Sequence, residues 1–295
     1  ISKYYKNEIG YIPHEKENES VAKGLEYAYN DWCISTLAKA IGDTATYERY
    51  KALSQAYTNY YDPNTKFMRG KKLNGKWNTP FNPYASNHRN DDYCEGTAWQ
   101  WTWFVPHDID GLIDLMGGQE QFVDRLDSLF VADSKIEGDL VSSDISGLIG
   151  QYAHGNEPSH HIAHLYNYVN QSWKTQQIID SILFNQYFAD PNGLSGNEDC
   201  GQMSAWYVLN AMGFYQVCPG SPIYSVGRPI FDKVTINLSN GKKFEIVANN
   251  NSRTNKYIQS IRLDNILLES PFFMHSDIMK GARIVVDMGN NPVKP

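Results

Sequence analysis

The chain has 295 residues and a formal net charge of −7 at pH 7, with a sequence pI of about 5.6. Its hydrophobic content of 41% is enough to bury one large core or two smaller ones, as a globular protein does. Because acidic residues outnumber the scattered Lys and Arg, we expect neither nucleic acid nor an anionic membrane surface as a partner. No stretch approaches the apolar length of a transmembrane helix, so we expect no membrane-spanning helix in these residues.

The first two thirds of the sequence has mainly helical periodicity. Ser20 is predicted to cap a helix that Gly42 ends, and a second helix is predicted from about Thr44 to Tyr61. The stretch DPNTKFMRGKKLNGKW then predicts a small hairpin protruding from the helices. Further helices are predicted near 96–104, 109–117, 119–130, 145–153, 160–169, 173–186 and 202–213. Paired helices joined by functional loops are typical of a helical solenoid or an α/α toroid.

After Tyr215 the sequence changes to short β-branched runs separated by Asn and Gly turns: KVTINL, KKFEIVA, YIQSIRLD and ARIVVDM. The sequence therefore predicts a mainly helical region over 1–215 and a β-rich appendage of short antiparallel strands over 216–295. Few strands make a poor independent domain, so we expect the appendage to pack on helices or on a partner segment.

Two acidic motifs are candidates for acid and base chemistry. In DDYCEGTAWQWTWFVPHD, Glu95 precedes a series of indoles, and apolar surroundings raise the pKa of a carboxylic acid toward the range of a general acid. In GLSGNEDCGQMSAWYVLNAMGFY, Glu198 and Asp199 lie just before a predicted helix. Both motifs also have a structural interpretation, as acids that cap a helix N-terminus ahead of core aromatic residues.

A third motif, GQYAHGNEPSHHIAHLYNY, is rich in histidine. His160 and His164 are four residues apart on a predicted helix, which with Glu157 would suit zinc, although the H-E-x-x-H arrangement is missing. Alternatively Asn156 and Glu157 supply oxygen ligands for a hard cation such as Ca²⁺, while the histidines bind hydroxyl groups. Histidines hydrogen-bonded in a polar core are the structural alternative.

The cysteines and the N-terminus leave the cellular compartment open. Four cysteines lack metal-ligand spacing and are predicted to be buried free thiols, with one disulfide as the alternative: Cys33, Cys94, Cys200 and Cys218. The sequence begins with neither an initiator Met nor a signal-peptide core, so we expect a mature form or a piece of a longer chain.

Together the motifs resemble those of a known family. Five stretches closely resemble motifs of the family 92 glycoside hydrolases, which are calcium-dependent exo-α-mannosidases. They are YIPHEKENESVAKGLEYAYNDWC, DYCEGTAWQWTWFVPHD, GLIGQYAHGNEPSHH, GLSGNEDCGQMSAWYVLNAMGFYQVCPGSPIYSVGRPIFDKV, and YIQSIRLDN with DIMKGARIVVDMG. The resemblance runs over essentially the whole chain in the same order. It implies an (α/α)₆ toroid with associated β structure, inverting hydrolysis of terminal α-mannose on glycans, a Ca²⁺ that binds sugar hydroxyls, and a periplasmic or secreted location.

The resemblance also assigns roles to single residues. Glu95 of YCEGTAW matches the general acid and Asp199 of GNEDCGQ the general base, whose carboxyls in an inverting enzyme stand about 6.5–9.5 Å apart. Asn156 and Glu157 become candidates for calcium contacts. Five further residues are candidates for sugar contacts: Trp99, His154, His160, Asn197 and Glu198. Asn197 falls where some relatives carry Asp, which puts any catalytic share of that position in doubt.

Length is the main departure from the family. Members are more than twice as long, so the chain resembles only their C-terminal portion, which would be an incomplete part of the toroid. We therefore expect an upstream segment to complete it, or poor activity alone. Two other classes stay open: a carbohydrate-binding remnant without turnover, and a related α/α-toroid phosphorylase or lyase.

Overall fold

The structure, a computed structural model, describes residues 1–294. The chain forms two compact units, one from Ile1 to Ser159 and one from His160 onward. The mainly helical character with a β-rich C-terminal part is confirmed. The (α/α)₆ toroid stays a prediction, and so does the division into domains at 215/216.

The first unit combines helices with short two-stranded ladders. Its α-helices are α1 (Ser2–Ile9), α2 (Ser20–Ile41), α3 (Thr44–Leu53), α4 (Ala98–Trp101), α5 (Ile109–Leu115) and α6 (Gln119–Val131). Its 3₁₀ helices are His14–Lys16, Ser54–Tyr60 and Glu157–Ser159. Its strands are β1 (Tyr61–Asp62), β2 (Phe67–Met68), β3 (Ala85–Asn87), β4 (Glu137–Leu140), β5 (Leu148–Ile149) and β6 (Tyr152–Ala153). The β1–β2 and β5–β6 pairs are antiparallel, and β3–β4 is parallel.

Helix α2 covers the predicted span, but its N-terminal cap differs from the prediction. The N-cap is Glu19, in a left-handed conformation with φ 59°, and Ser20 is the first helical residue. Instead of capping, the Ser20 hydroxyl donates to Asp92 at 2.6 Å. Gly42 ends the helix as predicted, because its positive φ lets its N–H reach the carbonyls of the last turn.

The predicted small hairpin is present and lies deeper than expected. Strands β1 and β2 pair in an antiparallel ladder, and Lys71 and Trp77 form a further bridge. Tyr61, Phe67 and Met68 are buried, so the β1–β2 ladder belongs to the core of the first unit, whereas the turn at Asn74 and Gly75, beyond the Lys71–Trp77 bridge, is exposed.

The predicted helix over 145–153 is wrong. The segment forms the hairpin β5–β6, with the left-handed Gly150 in its turn. A side chain at Gly150 would collide with the backbone of Leu129 and Phe130, so glycine is required where this turn passes close to helix α6. This segment therefore forms a hairpin packed against α6, and its helical periodicity does not decide its structure.

The second unit begins with helices and continues into strands. Its helices are the 3₁₀ helix Ile162–Val169 and the α-helices α7 (Ser172–Asn185), α8 (Gln202–Met212) and α9 (His275–Lys280). Its strands are β7 (Phe214–Tyr215), β8 (Ile223–Val226), β9 (Lys233–Asn237), β10 (Lys243–Asn249), β11 (Tyr257–Leu263), β12 (Ile266–Leu267), β13 (Phe272–Met274) and β14 (Arg283–Gly289). All four predicted β-branched runs contain strands.

The strands of the second unit form two sheets. The larger has the order β12–β11–β14–β10–β9, and the smaller has the order β13–β8–β7. Most neighbouring strands are antiparallel, as predicted, but β10 and β14 pair in parallel. Alternate residues of both strands are buried, and Phe244, Ile284 and Val286 lie in the shared core. One face of the sheet is thus committed to packing.

Free thiols were predicted correctly, but their burial was not. All four cysteines are free; Cys218 is buried, Cys33 and Cys94 are half-buried, and Cys200 is exposed in the turn before α8. Within residues 1–294, no helix has the length and apolar character needed to span a bilayer.

Candidate active site

Glu95 lies in a bend just before α4, and its backbone is held from two sides. It is half-buried and adopts a left-handed φ of 45°, which a non-glycine residue seldom does and which costs about 1–3 kcal/mol. The Asn156 amide donates to the Glu95 carbonyl at 2.8 Å, and the Trp101 indole donates to the Cys94 carbonyl at 2.7 Å. These two hydrogen bonds fix the conformation from which the Glu95 side chain projects.

The other acids of the same motif have structural roles. Asp92 accepts hydrogen bonds from the Ser20 hydroxyl at 2.6 Å and pairs with His14 Nδ1 at 2.9 Å. Asp91 accepts from the backbone of Asn87 and Tyr93, and burial raises the pKa of its carboxyl to about 6. The hydrogen bond to Asp92 raises the pKa of His14. Asp91 and Asp92 therefore anchor the loop, and Asp108 at the end of the motif is the N-cap of α5 and accepts from the Gly111 N–H. This leaves Glu95 as the acid of the motif for chemistry.

Trp99 is packed within the first unit. Its side chain is buried, its ring meets Phe67 edge-on with centroids 5.0 Å apart, and the Arg125 guanidinium lies 4.1 Å from its centroid. Burial lowers the pKa of Arg125 to about 10. The role of Trp99 as a sugar contact stays a prediction.

Asn156 and Glu157 follow the β5–β6 hairpin, with His154 beside them. His154 is fully buried, and its Nδ1 is 2.9 Å from the Tyr152 hydroxyl. The Asn156 amide nitrogen is engaged by Glu95, so Asn156 Oδ1 is the atom available to a cation, and half-buried Glu157 brings a carboxylate to the same turn. These oxygen donors fit the chemistry of Ca²⁺. Across the part of the chain that the structure describes, no three acidic, His or Cys side chains cluster as metal ligands, and the calcium site stays a prediction.

Asp199 lies in the second unit, in a turn that leads into α8. It is exposed, and Asp199, Cys200 and Gly201 have consecutive left-handed φ values of 48°, 56° and 94°. Its carboxylate accepts no hydrogen bond from the described residues 1–294, which leaves it available to a water molecule or a ligand.

The helix-capping role belongs to Glu198 and not to Asp199. One Glu198 carboxylate oxygen accepts from the Ser204 backbone N–H at 3.1 Å, and the other accepts from the Ser204 hydroxyl at 2.8 Å. The formal N-cap of α8 is Gly201, which has no side chain to do this. Asn197, the preceding residue, is exposed.

His160 lies against the start of α8. Its Nδ1 is 3.1 Å from the Gln202 amide nitrogen, and its backbone carbonyl accepts from the Trp206 indole at 2.9 Å. Gln202, Ser204 and Trp206 were not among the residues predicted from the sequence. The available signal was their position at the start of a predicted helix: Gln202 and Trp206 are four residues apart and share a face, and Ser204 lies in the first turn, next to the acidic turn.

The zinc interpretation of His160 with His164 is wrong. His164 is fully buried, with Nδ1 at 3.0 Å from the Ser225 hydroxyl and Nε2 at 2.8 Å from Asn210 Oδ1. Asn210 donates its amide nitrogen to the Trp206 carbonyl, so its Oδ1 faces His164 and can only accept. The neutral imidazole therefore carries its proton on Nε2, and Nδ1 accepts from the Ser225 hydroxyl, which itself accepts from Asn167 at 2.7 Å. Burial lowers the pKa of His164 to about 4, and both nitrogens are occupied.

The candidate residues are therefore divided between the two units. Glu95, Trp99, His154, Asn156 and Glu157 belong to the first unit, where Asn156 contacts Glu95 directly. His160, Asn197, Glu198 and Asp199 belong to the second, where they surround the beginning of α8.

Comparisons with known proteins give one consistent result. The family model for the glycosyl hydrolase family 92 catalytic domain matches residues 2–290. A family 92 alpha-mannosidase from Bacteroides thetaiotaomicron, solved in complex with mannoimidazole, is 41% identical with a TM-score of 0.93, over 98% of this chain and 39% of that one. A family 92 inverting mannosidase from the same organism is 37% identical with a TM-score of 0.87, and the match covers 99% of this chain and 40% of that one.

A curated relative is more distant. An uncharacterized secreted glycosidase from Arthroderma benhamiae is 27% identical over 312 residues, covering 95% of this chain and 38% of its own. The chain thus spans about two fifths of the length of the relatives that it matches.

Proposed function

Since the chain belongs to glycosyl hydrolase family 92, we propose that it carries catalytic residues of an exo-acting, inverting α-mannosidase that removes terminal α-linked mannose from glycans and depends on Ca²⁺. The observation that supports this most directly is the 41% identity, over nearly the whole chain, to an alpha-mannosidase solved with mannoimidazole. The similarity to a second relative, described as an inverting mannosidase, supports the stereochemistry.

Glu95 is the general acid of the proposed reaction. In an inverting glycosidase the acid protonates the leaving oxygen as the glycosidic bond breaks. The Asn156 and Trp101 hydrogen bonds around the Glu95 backbone fix where its carboxyl begins, and a fixed acid loses little orientational freedom in the transition state.

Asp199 is the general base. It takes a proton from the water that attacks the anomeric carbon on the opposite face of the sugar, so the product has the inverted configuration. An exposed carboxylate that accepts no hydrogen bond from residues 1–294 suits this role, because its lone pairs are free to orient a water molecule.

The proposed calcium ion would be held by Asn156 Oδ1 and the Glu157 carboxylate, with the remaining ligands from outside these side chains. Bound there, Ca²⁺ would bind sugar hydroxyls and favour a distorted ring. His154 and His160 are proposed to contact hydroxyl groups, as are Trp99, Asn197 and Glu198.

We further propose that catalysis needs an upstream segment and that the protein acts outside the cytoplasm. Helix α2 exposes an apolar stripe of Ile34, Leu37 and Ile41, which are 40%, 63% and 72% exposed. Such a stripe on one helix face suits a packed neighbour. The description of the Arthroderma benhamiae relative as secreted supports a secreted or periplasmic location.

The test is release of free mannose from α-linked mannobioses by residues 1–295 alone and by the full-length protein, each with and without EDTA. Proton NMR during the reaction identifies the first anomer formed. We expect β-mannose, calcium-dependent release and higher activity for the full-length protein. Initial release of α-mannose would refute inversion, and unchanged activity after EDTA treatment would refute calcium dependence. No release by either protein would refute the mannosidase.

A further inference from the structure

The turn that carries Asp199 is held in an unfavourable backbone conformation. Asp199 and Cys200 are both left-handed, with φ values of 48° and 56°, and glycine follows only at residue 201. Two successive non-glycine residues in this region persist only where the surrounding structure determines them. The sequence of the turn does not favour it, so contacts on either side must hold it.

Glu198 and Ser204 close the turn from both sides. Glu198 precedes Asp199 directly, and Ser204 is the third residue of α8. The two hydrogen bonds between the Glu198 carboxylate and Ser204, at 3.1 and 2.8 Å, span the three left-handed residues. The backbone adds a third contact, in which the Met203 N–H donates to the Glu198 carbonyl at 3.3 Å.

A second contact fixes the helix on which this closure depends. His160 meets Gln202 through Nδ1 and Trp206 through its carbonyl, in the first and second turns of α8. His160 is 2% exposed, and Trp206 is fully buried. The start of α8 is therefore anchored in the core of the second unit, and the Glu198–Ser204 pair attaches the acidic turn to that anchored helix.

We propose that Ser204 and Glu198 are positioning residues for the general base: together they hold the turn in which Asp199 presents its carboxylate to water. The proposal rests on the proposed function. Since the Asp199 carboxylate accepts no hydrogen bond from residues 1–294, its backbone and not its own side-chain contacts sets its position. Ser204 touches neither sugar nor water in this role and acts only through the turn.

The chain offers a matched control for the test. In α3, Asp43 makes the same pair of hydrogen bonds, accepting from the Thr46 backbone N–H at 3.1 Å and from the Thr46 hydroxyl at 2.7 Å. Ser204 and Thr46 are both the third residue of their helices. Ser204→Ala and Thr46→Ala therefore remove the same type of cap, one beside Asp199 and one away from the candidate residues.

The experiment compares Ser204→Ala, Ser204→Thr and Thr46→Ala in the full-length protein, on an α-mannobiose and on 2,4-dinitrophenyl α-mannoside. The dinitrophenolate leaves without protonation, so this substrate needs a base but no acid. For Ser204→Ala we expect kcat to fall by about 10- to 100-fold on both substrates with KM unchanged. Ser204→Thr, which keeps the hydroxyl, should retain most of the wild-type kcat. Thr46→Ala should keep wild-type kcat and lose as much thermal stability as Ser204→Ala.

Each contrary result has a distinct meaning. Wild-type kcat in Ser204→Ala, with stability lost as in Thr46→Ala, would reduce Glu198 to a helix cap and overturn the proposal. A rise in KM at constant kcat would leave Glu198 as a sugar contact alone and overturn its positioning role, and recovery on the dinitrophenyl substrate would place the defect with Glu95. A wild-type protein that releases no mannose would refute the proposed function, and this assignment would fall with it.

Discussion

Buried His164 makes the stability of the second unit depend on pH in a calculable way. Burial holds its pKa near 4, whereas an exposed histidine in the unfolded chain titrates near about 6.5. Above pH 6.5 the imidazole is neutral in both states and the effect vanishes. As the pH falls, the unfolded chain binds a proton that the folded protein refuses, so stability is lost. For these two pKa values the free energy of unfolding falls by about 2 kcal/mol at pH 5 and by about 3 kcal/mol below pH 4.

The assay is urea denaturation at pH 7 and pH 5 of the wild type, His164→Gln and His275→Gln. His275 is an exposed histidine 3.2 Å from the Tyr224 hydroxyl, so its replacement controls for the loss of an imidazole. At pH 7 His164→Gln should cost about 1–3 kcal/mol, because Ser225 or Asn210 loses a buried partner. Between pH 7 and pH 5, the free energy of unfolding of His164→Gln should fall by about 2 kcal/mol less than that of the wild type or of His275→Gln.

The comparison between variants is decisive because carboxylates that titrate in the same range contribute equally to all three proteins. If His164→Gln and the wild type lose the same free energy of unfolding between pH 7 and pH 5, the reasoning is refuted and His164 does not fold as a buried neutral imidazole.

Three further results are expected. Glu95→Gln and Asp199→Asn should each lower kcat on α-mannobiose by about 100- to 10,000-fold with unchanged thermal stability, as removal of an acid or base does; unfolding of either variant would indicate a structural role instead. EDTA should abolish mannose release and added Ca²⁺ should restore it; irreversible loss would point to unfolding. Gly24→Ala should lower the free energy of unfolding by about 1–3 kcal/mol in urea denaturation, because the added methyl collides with the buried Tyr60 ring; an unchanged midpoint would contradict this packing.

The parts of the fold that local chemistry decides were predictable from sequence. Helix α2 follows its apolar periodicity to Gly42, whose left-handed conformation ends it. Strands β10 and β14 follow alternating β-branched patterns. Their parallel pairing was not predictable, because register and direction depend on where distant strands meet.

The sequence identifies candidate residues but does not distinguish their structural roles. Glu198 and Asp199 are equivalent acids in the sequence, and only the position of Ser204 gives the cap to one of them. The histidines of the third motif likewise look alike, yet Ser225 and Asn210 occupy both nitrogens of His164. The partners of His164 are remote in the sequence, and Ser204 lies six residues from Glu198, so neither pairing follows from the usual capping or helical spacings.

The position of β14 has a consequence for biosynthesis. This strand, Arg283–Gly289, follows every other described strand in the chain and yet lies between β10 and β11. Until it leaves the ribosome, the β9–β10 hairpin and the β11–β12 hairpin have no strand to join them, and Phe244 in β10 lacks the neighbours Ile284 and Val286. We expect nascent chains that stop before Arg283 to expose two unpaired strand edges, which are sites of aggregation and of recognition by chaperones.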